Sequence, residues 1–206
     1  MKPAARELSI ANLHPRLKLE RRDVTALVAA LDAAAEEFGG GCPAGALSIA
    51  FLTDEALASL HARFLNDPSP TDVITFTGSV EARARDPGGF GQGTLEGAAS
   101  SRSMAGEICV SADAAARRTR AANADARRAP ASPRKTQGSE DAYARELTLY
   151  LVHGWLHLAG YDDLNPSAKR RMRRAEARAM RIIERGPGVP IFRMRAFSVR
   201  SRRRPA

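Results

Sequence analysis

Two of the chain's four histidines, His153 and His157, stand four residues apart in His153-Gly154-Trp155-Leu156-His157. On a helix with ~3.6 residues per turn and ~1.5 Å rise, that spacing stacks both side chains on one face, one turn apart, so both imidazoles can reach one ion. Gly160 follows three residues later, where a helix can end in the left-handed conformation that a side chain opposes. Such a reversal carries Tyr161, Asp162 and Asp163 back towards the rings, and a carboxylate is an ordinary third ligand to zinc. Three protein ligands leave one position for a water, whose pKa a catalytic zinc lowers from ~15.7 to about 7. The bland alternative is a pair of buried helix histidines followed by an aspartate near a cap. Half of the histidines fall in this pair, with glycine and carboxylates at useful offsets, and that favours a metal. The expected ligands of one divalent ion, with zinc the expected metal, are therefore His153, His157 and a carboxylate, Asp162 or Asp163; Tyr161 reads equally well as a core or turn aromatic.

These ligands need a rigid support. The run Leu147-Thr-Leu-Tyr-Leu-Val152 is apolar on nearly every face, which predicts that a helix starting near Ser139 or Glu140 is wrapped by the domain. Period-two or apolar runs predict strands at Glu7–Asn12, Ala46–Leu52, Thr71–Phe76 and Gly106–Ser111. Between them, a helix is expected from Arg22 to Phe38, stopped by Gly39-Gly40-Gly41. A second, capped by Thr53, ends before Asn66, and a third spans Ala114 to Arg128 with Ser111 or Asp113 as its cap. Asn165-Pro166 then supplies a cap and a first-turn proline for a basic helix reaching Glu184. Four strands alternating with helices predict an α/β or α+β sheet domain.

At 206 residues the chain suits one domain, expected over 1–186, with flexible insertions at about 78–103 and 129–138 and a basic tail at 187–206 that orders only when bound. The Gly-rich stretch at 88–93 lacks the Lys-Ser or Lys-Thr ending of a phosphate loop. The sequence holds no signal-like segment and no apolar run of about 18 residues, so a cytoplasmic protein with no membrane partner is expected. Cys42 and Cys109 read as reduced thiols. The net charge is +9, yet Lys169 to Arg204 carries fourteen Lys and Arg against two Glu, a net +12 that leaves the rest near −3. Such asymmetry predicts a polyanionic partner, because basic side chains displace counterions from phosphates. A DNA-binding reading rests on basicity alone, without a recognition-helix motif.

The string His153-Gly-x-Leu-His-Leu-x-Gly-Tyr-Asp-x resembles the signature of the YbeY family of metal-dependent bacterial endoribonucleases and rRNA maturation factors. Thr71-Asp72-Val73-Ile74-Thr75-Phe76 is similar to that family's Thr-Asp-Val-Leu-Ser-Phe, and Gly106-Glu107-Ile108 to its Gly-Asp-Ile strand. The resemblance implies an α+β fold, with a mixed four-stranded sheet packed with helices around a central metal-motif helix. It also implies a zinc-dependent endoribonuclease acting on single-stranded RNA in rRNA maturation and ribosome quality control, with the small ribosomal subunit as partner. RNA is expected along the Asn66–Thr71 turn, with Arg63, Lys169 and Arg170 as candidate phosphate contacts. Two departures stand out: Asp163 replaces the family's third histidine, so the resemblance implies His153, His157 and Asp163 as the zinc ligands with Asp162 as a reserve ligand or outer partner that orients an imidazole, and Leu65 occupies the place of an arginine important for activity. Arg63 is nearby but projects about 200° away on an ideal helix. A rival reading is a catalytically quiet ribosome-assembly factor with a structural metal. The stretch also resembles the metzincin protease arrangement, except that Gly154 replaces the glutamate general base, which ranks peptidase well below phosphodiester hydrolysis.

Overall fold

The computed structural model describes residues 6–67, 69–78, 103–128 and 138–195. Apart from the bounding Gly78, Ser103 and Gly138, the expected insertions lie outside the described residues, as does the Arg200–Arg204 cluster. Strands β1 (Leu8–Asn12), β3 (Ala46–Leu52), β4 (Val73–Thr77) and β5 (Met104–Ser111) form a sheet of order β1-β3-β5-β4. The β1–β3 and β3–β5 pairs are parallel and β4 runs antiparallel to β5, so the sheet is mixed and the fold is α+β.

Alternation along the strands divides the core. Leu47, Ile49 and Phe51 of β3, with Ile108 and Val110 of β5, enter the larger cluster; Ala50, Leu52, Ile74 and Cys109 enter a smaller one beside Leu57. Burial on both faces explains why Ala46–Leu52 reads as a nearly continuous apolar run. Helix α1 (Arg21–Ala33) contributes Val24, Leu27, Val28 and Leu31 to the larger cluster. It stops short of the expected Phe38, because Ala35–Phe38 tightens into a 3-10 turn closed by Gly39 at φ 70°. That turn buries Phe38 edge-on to Trp155, with ring centroids 5.5 Å apart. Leu57, whose helix α2 (Asp54–Leu65) is capped by the Thr53 hydroxyl accepting from the Ala56 amide, seals the smaller cluster. Both cysteines are free and buried, and desolvation pushes the Cys42 thiol up to about 11 and the Cys109 thiol to about 12.

Helix α3 (Ala112–Arg128) starts two residues earlier than expected, with the buried Ser111 hydroxyl accepting from the Ala114 amide. Asp113 has other work, pairing with Arg16 and His14. Helix α4 (Ser139–Leu158) carries both histidines of the pair and eleven buried residues, and packs on β4, β5, α3 and the basic helix Pro166–Arg185. Its Trp155 indole donates to Asp32 at 3.1 Å, which ties it to α1. In α5 (Pro166–Arg185), the Asn165 side chain accepts from the Ser167 and Ala168 amides; Ala168, Met172, Ala175, Ala179, Met180 and Ile183 face inward.

One expectation needs correction. The basic tail was expected to order only when bound, but Phe192–Met194 forms β6, antiparallel to β2 (Leu17–Leu19). Phe192 is buried, with its ring centroid 5.5 Å from that of Phe51. A three-residue strand is too short to display alternation, so neither partner announces itself.

Candidate metal centre

Helix α4 ends in a left-handed turn. Gly160 adopts φ 88°, the Gly160 amide donates to His157 O and the Tyr161 amide donates to Leu156 O, each at 3.0 Å. This paired closure satisfies two carbonyls that the helix end would otherwise leave open. It also aims the Tyr161 carbonyl at His157 Nδ1, 3.0 Å away. A carbonyl only accepts, so His157 carries its proton on Nδ1 and turns the Nε2 lone pair outward. His153 is held by the same logic: its Nδ1 lies 2.7 Å from Glu176 Oε1 of α5, and the carboxylate accepts.

The two free lone pairs meet. His153 Nε2 and His157 Nε2 are 2.9 Å apart, and Asp163 Oδ1 is 4.0 Å from His157 Nε2. One atom from each of His153, His157 and Asp163 lies within 4.8 Å of the others. Two donors on one zinc at ~2.05 Å in tetrahedral geometry stand about 3.3 Å apart, so this donor set fits a divalent cation with small adjustments. Facing lone pairs repel unless a proton or a cation lies between them. In competition with a cation, the proton goes to His153. Burial opposes its charge, but the Glu176 hydrogen bond and the charges of Glu176, Asp163 and Asp72 outweigh that and raise its pKa. Burial and the neighbouring His153 charge lower His157.

The two motifs singled out from the sequence touch at Gly154. A Cβ there would lie 2.6 Å from Ile108 Cγ2, and 3.2 Å from methyls of Val73 and Thr75, so the missing side chain lets α4 sit directly on β4 and β5. A glutamate at this position would enter the sheet instead of the space between the imidazoles, which removes the structural basis of the protease analogy.

The remaining histidines have local duties. His14 is buried, accepts on Nδ1 from the Arg16 and Leu17 amides, and faces Asp113 through Nε2 at 3.2 Å. His61 Nδ1 lies 2.9 Å from Ser69 O. Asp162 is exposed and accepts from the Leu164 amide at 3.2 Å, which shapes the ligand loop. Tyr161 is half-buried against the larger cluster. Arg63 is exposed, with its guanidinium 5.3 Å from the Phe64 ring centroid, and α2 keeps its helical course to the left-handed Asn66 cap. Lys169 and Arg170 are exposed on the first turns of α5. Sequence reasoning missed Glu176. The available signal was one of only two acidic residues on an arginine-rich helix, beside the inward stripe of Met172, Ala175 and Ala179.

Fold and site together define the class: an α+β protein in which a helix-borne histidine pair and a loop aspartate form a donor set that could hold a metal ion. The family model described as endoribonuclease YbeY matches residues 9–184, and the chain belongs to that family. Among relatives named endoribonuclease YbeY, that of Rhodopirellula baltica is 32% identical over 155 residues, covering 75% of this chain and 61% of that one. Those of Beutenbergia cavernae and Thermobifida fusca are 30% and 32% identical over 130 residues, 63% of this chain and 69% and 66% of theirs. The chain thus spans less than two thirds of the Rhodopirellula baltica protein. The solution structure of TM1509 from Thermotoga maritima aligns with a TM-score of 0.48 at 17% identity, over 86% of this chain and 89% of that one. No helix among the described residues is long and apolar enough to cross a membrane.

Proposed function

We propose that this chain is a zinc-dependent endoribonuclease that cuts single-stranded RNA, acting in the cytoplasm in rRNA maturation and ribosome quality control with the small ribosomal subunit as partner. The observation that carries this reading is the pair of Nε2 lone pairs 2.9 Å apart, each fixed by an acceptor on its Nδ1, with Asp163 alongside. Family membership supplies the substrate class.

In this account His153, His157 and Asp163 hold the cation, Glu176 and the Tyr161 carbonyl orient the imidazoles, and Asp162 shapes the loop. When bound, the zinc supplies a Lewis acid and an acidified water for phosphodiester hydrolysis. Gly154 keeps the ligands seated on the sheet, where a displacement of ~1 Å would cost much of the rate. Lys169, Arg170 and Arg63, all exposed, are the proposed phosphate contacts, with Lys169 two helical turns before Glu176 on the same stripe of α5.

Leu65, in place of the family's arginine, favours a second reading in which the metal is structural and the chain binds rRNA without cutting it. Cleavage of a single-stranded RNA by purified protein separates the two. The nuclease reading expects cleavage that chelation abolishes and that His157→Ala lacks while its circular dichroism is unchanged. RNA binding without cleavage by metal-replete wild type would establish the second reading.

A further inference from the structure

The outer face of α5 is a ridge of arginine. At ~100° per residue, Arg170, Arg171, Arg174, Arg178, Arg181 and Arg185 share an arc of about 100° with Ser167 and nothing else. Arg171 donates to the Ser167 hydroxyl, and Arg178 donates to Glu37 O and lies over the Phe38 ring. The other four, Arg170, Arg174, Arg181 and Arg185, are exposed, have no carboxylate partner among the described residues, and follow one another along about 22 Å of helix. Both acidic residues of α5 are engaged elsewhere, Glu176 with His153 and Glu184 with Arg145. Arginines on other elements are paired, as Arg6 is with Asp32, Arg117 with Asp54 and Arg118 with Glu146. Like charges four apart, as at Arg170 and Arg174 or Arg181 and Arg185, repel, and on this face no carboxylate offsets the repulsion.

We propose that this ridge docks a double-stranded stem of the RNA by its phosphates. The proposal takes its RNA partner from the reading above and adds a second contact, about 120–180° around α5 from Glu176 and so apart from the metal centre. Charge and shape choose the occupant. A guanidinium fork matches a phosphate, and a stem carries its phosphates on the outside of both strands. The ridge offers no aromatic or apolar side chain on which the bases of a single strand could stack. The apolar side of α5 is spent in the core, which leaves nothing to enter a bilayer. That packing, with the Asn165 cap, holds the row of arginines on a rigid support.

The test uses the full, zinc-loaded chain and two fluorescent RNAs, a blunt hairpin and an unstructured oligo(U), with binding read by anisotropy at several salt concentrations. Arg174→Gln/Arg181→Gln/Arg185→Gln removes three ridge charges and keeps good helix formers. Lys18→Gln/Arg21→Gln/Arg120→Gln removes three exposed charges elsewhere and is the charge-matched control. The ridge variant should bind the hairpin more weakly, with the slope of log K against log salt reduced by about 2–3, from three duplex phosphates at ~0.9 each. The control should keep the wild-type slope. Oligo(U) cleavage and its salt slope should be unchanged in the ridge variant, with wild-type zinc content and circular dichroism. A hairpin slope equal to that of the control, an equal loss for hairpin and oligo(U), or a wild type that does not bind the hairpin, whether or not it binds phosphatidylserine vesicles instead, would overturn the docking surface. A wild type that cuts no RNA yet loses hairpin binding in the ridge variant would sustain the surface and sink the ribonuclease reading. Cleavage of oligo(U) with no hairpin contribution from the ridge would do the reverse.

Discussion

Replacing Glu176 by glutamine tests whether the sequence's missed carboxylate governs the metal site. The substitution keeps the volume and an accepting oxygen but removes the charge that faces His153 Nδ1 across 2.7 Å. Both side chains are about four-fifths buried, at 21% and 18% exposure, so solvent screens the pair weakly. A hydrogen bond to a charged group of this kind is worth about 1.5–3 kcal/mol, and loss of such a partner typically costs a metal site about 10–100-fold in affinity. At ~1.4 kcal/mol per tenfold these figures agree. Competition titration of zinc against a chromophoric chelator at roughly pH 8, above the ordinary ~6.5 of histidine, should show that loss, with Glu176→Ala weaker still. The pH dependence has a definite sign. Glu176 raises the affinity of His153 for protons as well as for a cation. The deficit of Glu176→Gln is therefore full above the raised pKa of His153 and narrows as pH falls below it. An affinity within about twofold of wild type at high pH would refute the orienting role.

Gly160→Ala meets no atom within 4 Å, so its cost comes from the left-handed backbone alone, roughly 1–2 kcal/mol read as a lower denaturant midpoint; an unchanged midpoint would show that the turn relaxes. Gly154→Ala must displace the Ile108 methyl and should cost about 1–3 kcal/mol of stability by chemical denaturation, with weaker zinc binding; full stability would mean that α4 can lift off the sheet freely. Phe192→Ala should lose about 3–5 kcal/mol by the same method, whereas a dispensable tail would lose nothing. Asn165→Ala should cost about 1 kcal/mol by leaving two amides of the first turn of α5 without their acceptor, visible as a lower Tm, and an unchanged Tm would show that water caps the helix equally well.

Long periodic segments and caps were legible in the sequence because each depends on neighbours in the chain. Ala46–Leu52, the Thr53 cap, the Gly160 terminus and the Asn165-Pro166 start all appear where local chemistry puts them. The mixed four-stranded sheet followed from the family resemblance, since register and strand order depend on contacts far apart in sequence. The same limit hid the β2–β6 pair, whose partners are separated by most of the chain, and the 3-10 break after Ala33, which answers to the packing of Phe38 on Trp155. At the site, the i, i+4 histidines and the turn that returns Asp163 were readable from spacing. Glu176 was not, because its value lies in the crossing of α5 over α4, and an isolated acidic residue on a basic helix normally faces solvent.

Zinc stoichiometry by elemental analysis of purified, metal-replete protein, compared with His157→Ala, tests the central claim most directly. Convergence of His153, His157 and Asp163 on one cation predicts one zinc per chain in wild type and its loss in the variant, with the fold retained by circular dichroism. A His157→Ala protein that keeps its full complement of zinc would contradict the account.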